Sequence, residues 1–233
     1  MRHCHDNYTM NGSDAMNNEA IGIYWAGGLF DYKELLGNIQ LGTAVEEASN
    51  GKYKVHFPQN GECETSRDIH GIRNQDLLSI LQSDVILANF DGTDLDSGTV
   101  VEFCFAKVLD IPALLLRTDF RNCGDSEEEP WNLMCSGWRR TKTLWIRSIE
   151  EYHHFLHCGA KQSNIARDWS SAIAKKIIQA LEDVMHQPAW LPFEQAMGHY
   201  QRIIQSPGSG FEKMLSKQEL KEILEKKHRH GVL

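Results

Sequence analysis

The stretch that decides the fold is "DVILANFDGTDLDSGTVVEFCFA", residues 84–106. Its first half, "VILANF", is a continuous apolar run of the kind found in parallel strands buried on both faces. Its last part, "GTVVEFCFA", resumes as a helix. Between the two lie Asp91, Asp94 and Asp96, and Glu102 stands inside the helix among apolar neighbours. Strand, acidic loop and helix make one β–α unit. In open parallel sheets ligands bind beyond the carboxyl ends of the strands, so this loop is where a site is expected.

Upstream, "IGIYWAGGLF" (21–30) reads as a strand running into a loop at Gly27 and Gly28. "DYKELLGNIQLGTAVEEAS" (31–49) has helical spacing, weakened by two glycines. "KYKVHFPQNGE" (52–62) is a strand stopped by Pro58, and "SRDIHGIRNQDLLSILQS" (66–83) places Ile69, Ile72, Leu77, Ile80 and Leu81 near one helical face. Downstream, Pro112 ends the helix before the buried strand "ALLLR", residues 119–142 are irregular, and "KTLWIRS" (142–148) supplies a last strand. Such alternation predicts an α/β fold, a doubly wound (Rossmann/flavodoxin-like) parallel five-stranded sheet with a helical C-terminal extension.

The domain reading has four parts: a polar leader over 1–20, the α/β unit over 21–148, a helical extension over 149–205 packing on the core, and a linker and charged helix over 206–233. "SNIARDWSSAIAKKIIQALEDVMHQ" (163–187) is amphipathic, "SPGSG" (206–210) reads as a flexible linker, and the final helix is either a partner helix or frayed.

Composition narrows the function classes. With 233 residues, 41% hydrophobic and 24% charged, the chain can bury one sizeable core, and a net charge of −8 argues against a nucleic-acid partner. No apolar run approaches the length of a membrane span and the first 20 residues are polar, so no membrane partner and a cytoplasmic location are expected. Six cysteines (Cys4, Cys63, Cys104, Cys123, Cys135, Cys158) form no CxxC pair and read as reduced thiols. "HCH" (3–5) and "HRH" (228–230) read as solvated tails rather than metal sites, and no cofactor is expected.

Three groups fall at the carboxyl ends of the strands: Tyr24 with the Gly27-Gly28 loop, Phe57 through Glu62, and the acidic loop ahead of Glu102. Asp96 and Ser97 also suit a helix cap, and Glu102 is placed in the first turn or so. A carboxylate in apolar surroundings must be hydrogen-bonded or used. A desolvated carboxylate with a tyrosine and a second carboxylate suits glycosyl chemistry, in which one group attacks an anomeric carbon and another protonates the leaving group. Asp91 and Asp94 read as solvated loop residues. No GxGxxG or GxxxxGK[ST] motif is present, which removes the dinucleotide and P-loop readings.

Together, "IYWAGGLF" (23–30), "GIRNQDLLSILQSDVILANFDG" (71–92), "DSGTVVEFCFA" (96–106) and "PWNLM" (130–134) resemble, in this order, the nucleoside 2-deoxyribosyltransferase family. The resemblance covers roughly residues 21–146. It implies that Glu102 is a nucleophile forming a covalent deoxyribosyl intermediate, oriented by Tyr24, with Asp76 assisting protonation of the leaving base. It also implies that Asp96 and Asn132 hold the sugar 5′-hydroxyl, that Met134 lies beside the sugar, and that Glu62 contacts the base. The partners implied are a deoxyribonucleoside and a free purine or pyrimidine base, in a homo-oligomer (dimer or dimer-based hexamer) with shared sites. Related deoxynucleotide N-hydrolases carry a small hydroxyl residue where Asp96 stands, so a carboxylate there favours nucleosides over 5′-nucleotides. Two other readings stay open: a nucleoside N-glycosidase using the same residues, and a nucleoside-derivative sensor signalling through the C-terminal helices.

Overall fold

A computed structural model of the chain describes residues 19–60, 69–121, 130–159 and 161–233. Within them the elements run β1 (Ile21–Ala26), α1 (Tyr32–Ala48), β2 (Tyr53–His56), α2 (Ile69–Gln82), β3 (Val85–Asn89), α3 (Ser97–Val108), β4 (Ala113–Arg117), β5 (Thr141–Trp145), α4 (Ser148–His157), α5 (Gln162–Met185), α6 (Phe193–Ile204) and α7 (Lys217–Arg229). The five strands pair in parallel in the order β2-β1-β3-β4-β5. Strand order reverses between β1 and β3, and the crevice of such a doubly wound sheet opens there.

Alternation along the strands builds two cores. Tyr24, Ala26, Ile86, Ala88, Ala113 and Leu115 pack with residues of α2, α3, α6 and α7. Ile23, Trp25, Val85, Leu87, Leu114 and Leu116 pack with α1 and α5 on the other face. The leucines of β4 are 0–2% exposed, and burying each contributes about 1.5–3 kcal/mol. That double burial is why β3 and β4 read as unbroken apolar runs.

Helix ends follow local chemistry. Asp31 caps α1 by accepting from the backbone N–H groups of Lys33 and Glu34. Gly42, a weak point for helix propensity, has a packing reason: a Cβ there would lie 2.2 Å from Cζ of Phe57, so the missing side chain lets that ring lie against α1.

The C-terminal region is not as the sequence suggests. The "SPGSG" stretch is pinned rather than a loose linker, because the carbonyls of Gly208 and Ser209 accept hydrogen bonds from Arg73 and Asn74 and the following Phe211 is 1% exposed. α7 is not frayed. Leu220 and Leu224 are buried, Lys227 is fully buried with its ammonium donating to the Ser83 carbonyl, and a Ser216–Glu219 capping box starts the helix. Nor is "HRH" a solvated tail: the His230 Nδ1 lies 3.0 Å from the buried Asp84 carboxylate. Apart from the capping box, whose partners are three residues apart, these contacts escape a sequence-local reading because each partner lies more than a hundred residues away. No helix among the described residues is long and apolar enough to cross a membrane.

Candidate active site

β1 directs Tyr24 toward α3, and the two meet in the hydrogen bond at the centre of the site. The Tyr24 hydroxyl donates to Glu102 Oε1 at 2.6 Å. Glu102 is the sixth residue of α3, in its second turn rather than the first-turn placement expected from sequence, and its carboxyl meets the hydroxyl of Tyr24 on the interior strand β1. Burial pushes its pKa up to about 7; the Tyr24 hydrogen bond pulls in the opposite direction, and the Asp76 and Asp96 carboxylates raise it further. Three acids and one phenol therefore share one electrostatic neighbourhood, drawn from β1, α2, the β3–α3 loop and α3.

Asp76 lines a cleft of about 390 Å³ together with Tyr24, Phe57, Ile72 and Gln75. Phe57 is shared between this cleft and the core, its ring centroid 6.0 Å from that of Trp25. Its aromatic face and the Asp76 carboxylate make this cleft suited to a flat heterocycle with a polar edge.

Asp96 serves two ends. Its Oδ2 caps α3, accepting from the Thr99 N–H at 2.7 Å and the Thr99 hydroxyl at 2.8 Å, so the capping reading is correct. Oδ1 has no protein donor among the described residues and remains able to accept from a ligand. Asp96 and Gly28 line a second cleft of about 710 Å³ at the sheet's reversal point. A Cβ on Gly28 would sit 2.7 Å from the Glu34 carboxylate, so a side chain at this point would have to push aside the carboxylate that accepts from the Phe30 N–H. The Gly28 carbonyl is held by Asn38 Nδ2 at 3.0 Å, and Asn38 Oδ1 in turn accepts from the Trp25 indole at 3.1 Å. Gly27 packs against Asn89 of β3, where an added Cβ would come within 3.3 Å of Asn89 Cβ.

Asn132 and Met134 lie elsewhere. Asn132 Oδ1 accepts from the Met134 N–H at 2.9 Å to start a short 3-10 turn, and both side chains are exposed, Met134 to 78%. With Asp94, Ser97 and Val101 they border a third cleft, at the N-terminus of α3. The fold thus gathers Tyr24, Asp76, Asp96 and Glu102 and leaves Asn132 and Met134 on an open rim beside them. Glu62 falls outside the described residues, as do residues 1–18 of the leader, with "HCH", and three of the cysteines. Cys104, Cys135 and Cys158 are free thiols, and no cluster of three or more potential metal ligands occurs among the described residues.

One acid was misread. Asp91 is not a solvated loop residue: it accepts from the Thr118 N–H at 2.5 Å, the Thr118 hydroxyl at 2.5 Å and the Asp119 N–H at 2.8 Å. The buried Arg117 guanidinium completes this latch by donating to the carbonyls of Phe90, Gly92 and Arg121. The Arg121 guanidinium, paired with Asp119, holds that carboxyl well below the usual carboxylate range. Two strand-end loops are thereby locked together, which fixes the segment leading to Asp96. Sequence reasoning missed Arg117; its signal was an arginine closing the all-apolar run of β4.

Residues 23–134 match the family model of nucleoside 2-deoxyribosyltransferase. The matched segment contains Tyr24, Asp76, Asp96, Glu102, Asn132 and Met134. No curated protein sequence matches the chain significantly. Among solved structures, it is similar to a conserved protein from Enterococcus faecalis (25% identity, TM-score 0.44, covering 50% of this chain and 84% of that one). It is also similar to a 2-deoxyribosyltransferase from Bacillus psychrosaccharolyticus (18%, TM-score 0.42, 52% and 85%). A third is a 2-deoxyribosyltransferase from Leishmania mexicana (21%, TM-score 0.43, 59% and 97%).

Proposed function

We propose that the chain is a nucleoside 2-deoxyribosyltransferase that exchanges the base of a 2′-deoxyribonucleoside through a covalent intermediate on Glu102. The observation that carries this reading is the 2.6 Å Tyr24–Glu102 hydrogen bond at a desolvated carboxyl faced by Asp76 and Asp96. The family match over residues 23–134 supports it.

In the first half-reaction the ionised Glu102 carboxylate attacks C1′, the C1′–N bond breaks, and the leaving base takes a proton from the Asp76 carboxyl. In the second, an acceptor base in the vacated cleft attacks C1′, returns a proton to Asp76 and expels Glu102. Desolvation strengthens the nucleophile, and the Tyr24 hydroxyl orients it while favouring its charged form. The free Asp96 oxygen accepts from the sugar 5′-hydroxyl. A 5′-phosphate in the same place meets like charge, which costs several kcal/mol when water is excluded, so nucleosides are preferred over nucleotides.

Incubation with deoxyinosine and adenine tests the reading. Deoxyadenosine should form, and Glu102→Ala should slow its formation by about a thousandfold or more. Hypoxanthine release with no deoxyadenosine would replace transfer by hydrolysis, and undiminished exchange by Glu102→Ala would remove the nucleophile.

A further inference from the structure

α2 presents Ile72, Gln75, Asp76 and Ser79 to the base cleft and turns Asn74, Leu77, Ile80 and Leu81 inward. The inward side is gripped at both ends by the far end of the chain. Asn74, two residues before Asp76, is 5% exposed; its Nδ2 donates to the Ser209 carbonyl at 3.0 Å, and its Oδ1 accepts from the Arg73 guanidinium at 2.7 and 3.2 Å. The same guanidinium donates to the Gly208 carbonyl at 3.1 Å.

Those carbonyls face α2 only because the backbone takes three consecutive left-handed conformations, at Gly208 (φ 64), Ser209 (φ 51) and Gly210 (φ 85). Holding Ser209 there costs about 1 kcal/mol or more, which the surrounding contacts must offset. Phe211 then anchors the turn, its ring edge-on to Phe105 at 6.0 Å.

At the other end of α2, the buried Lys227 donates to the carbonyl of Ser83, the first residue beyond the helix. Asp84 follows, accepting from Gly22 N–H at 2.8 Å and facing His230. Between these grips, Leu220 and Leu224 of α7 share a core with Leu77, Ile80 and Leu81.

We infer that residues 208–230 form an intramolecular clamp on α2 that sets the Asp76 carboxylate against Glu102, with Arg73 and Asn74 as positioning residues. The inference rests on the reading of Asp76 as the acid that faces the leaving base. Misplacing a proton donor by an ångström costs on the order of a hundredfold in rate, so a clamp on its helix is a device for rate rather than for binding.

The test takes Arg73→Met and Asn74→Leu in the full chain, each alone and with Asp76→Asn, and measures exchange kinetics, pH profile and deuterium exchange of the α2 amides. Arg73 is only partly buried, so its variant keeps the fold if the buried Asn74 variant does not. Each single variant should lower kcat about tenfold and leave KM within about threefold, but cost less than about twofold when Asp76 is already asparagine. Displacing the proton donor should lower the plateau of the profile and leave in place the acidic limb set by Glu102. Exchange of the α2 amides should quicken. Equal cost in both backgrounds, unchanged kcat beside a slow Asp76→Asn enzyme, or unchanged α2 exchange would overturn the clamp. A fully active Asp76→Asn enzyme would instead sink the acid role of Asp76, and the α2 exchange alone would then decide whether the clamp exists.

Discussion

The two halves of the site are built to opposite standards. Around Tyr24 and Glu102 the phenol is buried, the carboxyl partly so, and the two are paired and held by elements that converge from β1, α2 and α3. Around Asn132 and Met134 the side chains stand in solvent, and the hydrogen bond Asn132 makes is to its own turn. The contrast teaches where the site is organised in advance: the half proposed to move charge is fixed by the fold, whereas Asn132 and Met134, proposed to lie against the sugar, stand on a rim.

The largest effect that can break this comparison is loss of the phenol. Tyr24→Phe removes the hydrogen bond that favours ionised Glu102, so the pKa, already about 7, should rise further. Since the nucleophile acts deprotonated, kcat/KM of the wild type should climb through the range below about pH 7 and flatten above it. In Tyr24→Phe that limb should shift to higher pH, with a loss at neutral pH of about ten- to a hundredfold. A pH–rate profile of both proteins is the check; an unshifted limb would detach Tyr24 from Glu102.

Next is stability. A carboxyl whose folded pKa is raised binds its proton more tightly in the native state, so its cost is absent below the ordinary carboxyl pKa of 4.5 and complete above about 7. Glu102→Gln should therefore raise stability by about 2–3 kcal/mol at pH 8 and change it little at pH 4, read from urea midpoints. Equal effects at both pH values would mean that Glu102 is not desolvated.

Asp96→Asn sharpens the boundary between the halves. It should narrow the preference for deoxynucleosides over their 5′-monophosphates by about tenfold, measured as the ratio of kcat/KM, while leaving the α3 cap largely intact. The smallest effect belongs to the rim. Asn132→Ala should raise KM by about three- to tenfold with kcat nearly unchanged, as expected when a group binds ground and transition states alike. A large fall in kcat instead would show that the rim is organised during turnover.

How much of this was legible in the sequence depended on range. β3 and β4 were legible because burial on both faces writes an unbroken apolar run, and Glu102 because a lone carboxylate amid "VVEFCFA" has no cheap structural excuse. At Asp96 the cap was legible and is made, through the Thr99 N–H and hydroxyl. Asp91 was misread because its partners, Thr118 and Asp119, lie 27 and 28 residues away and carry no local signature. The clamp was invisible for the same reason on a larger scale: Arg73 and Asn74 meet Gly208 and Ser209 across 135 residues, and a Gly-Ser stretch looks the same whether it is loose or held. Asn132 was readable as a motif position, whereas its exposure was not, since nothing in "PWNLM" reports which side of the loop faces solvent.

The measurement that bears most directly on the covalent mechanism is trapping of the glycosyl-enzyme with a 2-fluoro-sugar nucleoside, which slows breakdown of the intermediate, followed by mass spectrometry of the digested protein. A single sugar adduct on the peptide containing Glu102, absent from Glu102→Ala, is the predicted result. An adduct on Asp76, Asp96 or any other residue, or turnover with no adduct under conditions that release base, would contradict it.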